Sequence, residues 1–155
     1  MHHRKSPPRA GFFVVRVESL RPIADPVSPM TASHIPDDVR RFLLGAIPSV
    51  PHLEALLLVR AEPGEPWTAA RLARRLYVDE HGAARLLRDL GDSGLLRQGG
   101  HGYRFDPTDA PLATVVAELD AIYARRVVEV AELIHSSSDR KAQRFADAFR
   151  LRKDP

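Results

Sequence analysis

The chain has no cysteine, which removes disulfides, cysteine-ligated zinc and thiol nucleophiles as sources of stability or chemistry. Aromatic residues make up only 6% of it, with a single tryptophan, Trp67. No apolar run is long enough to cross a bilayer, and Arg16 interrupts the short stretch Phe12 to Val15, so neither a membrane span nor an export signal is expected. Internal repeats and low-complexity tracts are absent. Neither sign of charge dominates: the formal net charge is +3, with a pI near 9.7, so most of the 28% charged residues cancel. What remains is 155 residues, 44% of them hydrophobic, enough for one domain with a genuine core. A soluble cytoplasmic protein is the simplest expectation.

Enzyme chemistry finds no foothold. The seven histidines include no H-E-x-x-H or comparable helical pairing, so no metal site is expected. Gly99-Gly100-His101-Gly102 lacks the Lys-Ser/Thr ending of a phosphate loop and the strand-to-helix setting of a dinucleotide fingerprint. The carboxylates Asp79, Glu80, Asp89 and Asp92 have no nucleophile beside them in the sequence and read as solvated helix charges. Neither an enzyme nor a cofactor site is expected.

The most informative stretch runs from Thr68 to Phe105. Thr68 suits the N-cap of a short helix, Ala69 to Leu76, in which Leu72, Ala73 and Leu76 share one face. Asp79 suits the cap of a second helix, whose Ala83, Leu86, Leu87 and Leu90 recur at i, i+3, i+4 and i+7. Gly94 fits the left-handed residue that closes it, and Leu95 to Gln98 follows as a strand. The glycine-rich tip and the alternating Tyr103-Arg104-Phe105 then predict a small hairpin. The order of helix, turn, helix, "SGLL" strand, Gly-rich tip and strand resembles the winged helix-turn-helix domains of bacterial regulators, most closely the MarR-like group. The run "LLRDLGDSGLLRQ" carries most of the likeness. The resemblance implies a mainly α fold, a winged helix-turn-helix with a three-helix core and a small β-wing, and double-stranded DNA as the partner.

Three regions are expected. Residues 1 to 35 are an N-terminal extension with prolines at 7, 8, 22, 26 and 29; Gly11 to Val17 could form one strand, and residues 1 to 29 lie upstream of a possible start at Met30. Residues 36 to 107 form the winged domain. Within it, Asp37 and Asp38 open a helix with Val39, Phe42, Leu43 and Ile47 on one face. Ser49 and Pro51 start an apolar helix, and Trp67 begins a third short strand beside the wing as a buried structural residue. Residues 108 to 155 are a helical dimerisation region. A helix from about Ala110 to His135, roughly 40 Å long, is expected to break at Ser136-Ser137-Ser138 before a final basic amphipathic helix.

For DNA, the face of the second helix opposite its core positions carries His81, Arg85 and Arg88, and Gly82 would let backbone approach closely. Arg85 is the expected base reader, because its planar fork fits guanine. Thr68, Arg71, Arg74 and Arg75 on the supporting helix are candidates from which one or two hold phosphates, and Arg97, His101 and Arg104 are expected to make the wing a minor-groove or backbone contact. Against this, eight basic residues between Arg60 and Arg104 face six acidic ones, including Asp79 and Glu80 at the start of the second helix. A winged-helix module that binds another protein is the alternative. A homodimer would double the positive surface, with Phe42, Leu119, Ile122, Tyr123, Phe145 and Phe149 as its expected contacts and Val39 and Leu43 in support; a last helix folded back on its own domain is the competing arrangement.

Overall fold

The structure, a computed structural model, describes residues 34 to 152. The expected N-terminal extension, including the strand at Gly11 to Val17, lies outside the described residues. Those described form six helices and one two-stranded sheet, so the fold is mainly α.

The first two helices supply the floor of the core. In α1 (Asp37–Ala46), the acidic first turn offsets the partial positive charge of the helix start, and Val39, Phe42 and Leu43 turn inward. In α2 (Val50–Ala61), Leu53, Ala55, Leu56, Leu57 and Val59 are all buried, so it lies at the centre of the domain. Ser49 precedes α2, but its hydroxyl bonds the His52 ring at 2.7 Å instead of a backbone N–H.

The short helix α3 (Ala69–Leu76) is capped by Thr68, whose Oγ1 accepts from the Arg71 amide. Asp79 caps α4 (Glu80–Asp92) by accepting from Gly82 N at 3.3 Å. At Gly94, φ is +77°, and the next amide, Leu95 N, returns to Leu90 O at 3.1 Å, closing α4. Strands β1 (Leu96–Gly99) and β2 (Gly102–Phe105) pair antiparallel in the register Leu96 to Phe105 and Gly99 to Gly102. Trp67 adds a single bridge on the other side of β2, with Trp67 N donating to Tyr103 O at 2.7 Å and Tyr103 N to Trp67 O at 2.8 Å. Its ring is fully buried, as expected of a structural tryptophan.

The C-terminal region departs from expectation in two places. The helix that begins at Ala110 ends at Arg125, not His135: α5 (Ala110–Arg125) and α6 (Val127–Leu151) meet at Arg126, whose φ of −138° and ψ of 47° are not helical. Burial accounts for the bend, because it lets Val116 and Leu119 of α5 and Val130 and Ile134 of α6 enter the same core, which a straight rod would overshoot. The serines do not break the chain either. Ser136 and Ser138 donate to the carbonyls of Leu133 and Ile134 within their own helix, and Ser138 also reaches Pro48 O at 2.8 Å. Hence α6 runs straight through, and no separate last helix folds back.

One core therefore joins α1 to α4 with α5 and α6. Arg60 reaches Asp120 at 2.7 Å, and the Tyr123 hydroxyl donates to Glu54 at 3.2 Å, so α2 and α5 are also tied at the surface. Burial, followed by the negative charge and hydrogen bond of Glu54, raises the Tyr123 phenol above its ordinary 10.0. Of the residues expected at a dimer contact, Phe42 and Leu119 are buried in this core, Ile122 and Tyr123 pack against it, and Val39 and Leu43 are fully buried. Those six are occupied within the chain. Phe145 and Phe149 stay 69% and 64% exposed, their rings 5.3 Å apart on α6. Among the described residues no single helix is long and apolar enough to cross a membrane; α1 and α2 reach that length together only across a 111° bend, and both belong to the core.

Candidate nucleic-acid interface

Helix α3, the turn at 77–79 and helix α4 form one rigid corner, since Leu72 and Ala73 on one side and Ala83, Leu86 and Leu87 on the other are buried against each other and α2. What α4 cannot bury it must display. His81, Arg85 and Arg88 are exposed on its outer side, and among the described residues none of them has a hydrogen-bond or ion-pair partner. Arg74 on α3 is exposed and equally unengaged. On the α3–α4 face these side chains are left available to an outside anion.

Most of the other expected contacts have partners inside the chain; His101, exposed at the hairpin tip, has none among the described residues. The Arg71 guanidinium lies 3.8 Å from the centre of the Trp67 ring, pairs with Glu62 at 2.9 Å and donates to Glu65 O at 3.1 Å. Arg75 takes the second oxygen of Glu62 at 2.7 Å. Trp67 Nε1 donates to Glu62 O at 3.1 Å, so Glu62, Trp67, Arg71 and Arg75 form one cluster that fixes the loop before α3. Arg71 is thus a structural residue where a phosphate contact was expected; Arg75 remains half exposed. Thr68 is occupied as a cap. Gly82 likewise has a local role: a Cβ there would sit 2.7 Å from Asp79 Oδ1, so the missing side chain makes room for the α4 cap, not for a ligand.

On the hairpin, register sets Arg97 beside Arg104, and the like charges are drawn apart by Asp106, 2.9 Å from Arg97, and by Pro63 O, which accepts from Arg104 at 2.8 Å. Both arginines are exposed surface pairs that water and a phosphate can compete for. His101 at the tip shares a cleft of about 340 Å³ with Thr68, Ala84, Arg88 and Tyr103, so the hairpin tip and α4 border one concave surface. A second cleft, about 400 Å³, follows the hairpin past Arg97, Arg104 and Asp106.

Two features escaped the sequence reading. The first is a polar chain: Ser49 Oγ bonds His52 Nδ1 at 2.7 Å, and His52 Nε2 donates to Asp89 at 2.9 Å. It braces the start of α2 against α4, and its only local signal is a histidine three residues after a helix-capping serine. The second is Tyr77, whose side chain is 95% exposed at the corner between α3 and α4. Among the described residues, no group of three or more His, Asp or Glu is placed to hold a metal ion. No protein-family model, curated protein or solved structure matches this chain.

Proposed function

We propose that this protein is a DNA-binding transcriptional regulator of the winged helix-turn-helix type, similar to the MarR-like group, cytoplasmic and active as a homodimer. One observation carries the reading: the outer side of α4 presents His81, Arg85 and Arg88 without internal partners, and the hairpin tip stands across a shared cleft from Arg88. In this reading α4 enters the major groove, where Arg85 addresses a guanine edge and Arg88 and His81 reach a base or phosphate. The hairpin lies along the adjacent backbone, with Arg97 and Arg104 exchanging their internal acceptors for phosphate oxygens.

Pairing supports the same reading on charge. One copy offers few unengaged cations on the α3–α4 face, and two copies on one face of DNA double them. The exposed Phe145 and Phe149, with Val128 at 69% exposure near the bend, are the apolar surface left for a second copy. A protein-binding module is favoured instead by Glu80 and Asp92, which stay exposed at the two ends of α4 and repel phosphate. An electrophoretic shift of genomic fragments from the region upstream of its own gene separates the two readings. Retardation of particular fragments over random competitor is the expected result, and no retardation of any fragment would leave the protein-binding module.

A further inference from the structure

We infer that Tyr77 is a DNA-backbone anchor, its phenol donating to a phosphate at the edge of the groove that α4 enters; this rests on the DNA-binding reading above. Tyr77 closes α3 with φ +55° and ψ +40°, and it is the one non-glycine residue with positive φ among those described. That left-handed conformation crowds any Cβ, which is why glycine or asparagine usually fills it. The backbone there is firmly held: Tyr77 N and Val78 N both donate to Ala73 O, and Val78 packs against the core. Folding would be served better by glycine, and the tyrosine ring returns nothing to the fold, being 95% exposed with no partner among the described residues. A residue that strains the backbone and packs against nothing is explained by what it touches outside the chain.

The surroundings select nucleic acid as that contact. Tyr77 stands between the unengaged Arg74, one turn back on α3, and the first two turns of α4, where His81 and Arg85 are exposed. A helix that enters a groove at this end brings its preceding turn against the phosphate wall. The neighbouring carboxylates explain the choice of residue. An arginine or lysine at 77 would be drawn to Asp79 and Glu80, as Arg75 is to Glu62 and Arg97 to Asp106. A neutral phenol can reach a phosphate without that competition, and its ring, with few rotatable bonds, is placed by the rigid turn.

The test combines Tyr77→Gly and Tyr77→Phe in the full chain. Tyr77→Gly is expected to melt at the same temperature as the wild type or higher, yet to bind DNA about tenfold more weakly, on specific and random sequence alike. Because the lost contact is neutral, the dependence of affinity on salt keeps its slope, whereas Arg74→Ala, losing one contact in each of two copies, lowers that slope by roughly two. Tyr77→Phe, which keeps the ring, is expected to lose about threefold or more. If the glycine change alters the fold, the phenylalanine variant decides alone. Wild-type binding matched by both variants would overturn the role of Tyr77 and leave the regulator reading standing; a wild type that retards no DNA at low salt would overturn both.

Discussion

Replacing Gly102 with alanine should loosen the hairpin while sparing the helical core. Gly102 opens β2 with φ +140°, and an added Cβ would lie 2.5 Å from Trp67 O and 2.9 Å from its carbonyl carbon. Both are backbone atoms of the strand-like bridge, so no side chain can swing aside. Holding the native geometry would cost about 1–3 kcal/mol in backbone strain, with the clash added to it. Moving the tip away relieves the clash but gives up the two bonds between Trp67 and Tyr103, worth roughly 1 kcal/mol each. The molecule takes the cheaper route or a mixture, so a loss of about 2–4 kcal/mol and a fall in melting temperature on the order of 10 °C are expected. Gly100→Ala is the control, because nothing lies within 4 Å of a Cβ there. Chemical unfolding is followed by the fluorescence of Trp67, the only tryptophan, and hydrogen exchange reports the Trp67 and Tyr103 amides separately. A Gly102→Ala protein as stable as Gly100→Ala, with the Tyr103 amide still protected, would refute the reasoning.

Other expectations are independent of the hairpin. Arg85→Ala should reduce discrimination between specific and random DNA by about 1–3 kcal/mol, and Arg104→Ala should weaken all sequences nearly alike; competition titrations of the two variants check this division. Leu119→Ala, at a fully buried position shared by α5 and the core, should cost about 2–5 kcal/mol in urea unfolding, even though the position lies in the C-terminal third. On the homodimer reading, the wild type should scatter light as a dimer and Phe145→Glu combined with Phe149→Glu as a monomer, with little change in melting temperature, since both rings are exposed in the single chain. The folded protein holds the Tyr123 proton more tightly than the unfolded chain, so that contribution is complete below pH 10.0 and disappears as pH rises through the raised folded value. Tyr123→Phe should therefore flatten the alkaline end of the stability curve.

Local chemistry made the middle of the chain legible. Thr68 and Asp79 cap helices because short oxygen-bearing side chains satisfy free amides nearby in sequence, and Gly94 adopts the left-handed turn its position called for. The serines misled because the same hydroxyls that favour turns can also bond back to the carbonyls of their own helix, and Pro48 O, ninety residues away, supplies an acceptor no local rule includes. The bend at Arg126 follows from where the core lies, which periodicity alone cannot locate. At the candidate site, the outward direction of His81, Arg85 and Arg88 could be read from helical spacing. The capture of Arg71 and Arg75 by Glu62 and Trp67 could not, since it depends on how the preceding loop returns over α3. Tyr77 left a faint trace, an aromatic residue where a helix end favours glycine.

The DNA-binding account is tested most directly by measuring the affinity of the wild-type chain and an Arg85→Ala, Arg88→Ala double variant for a retarded fragment across a salt series. Arg74, Arg88, Arg97 and Arg104 from two copies would hold eight phosphates, so the account predicts a log–log slope of about −7 for the wild type. The double variant should fall by roughly two in that slope, for Arg88 in both copies, and lose its preference for the fragment over random DNA as Arg85 is lost. Binding that is absent at about 50 mM salt, or a double variant with the wild-type slope and preference, would contradict it.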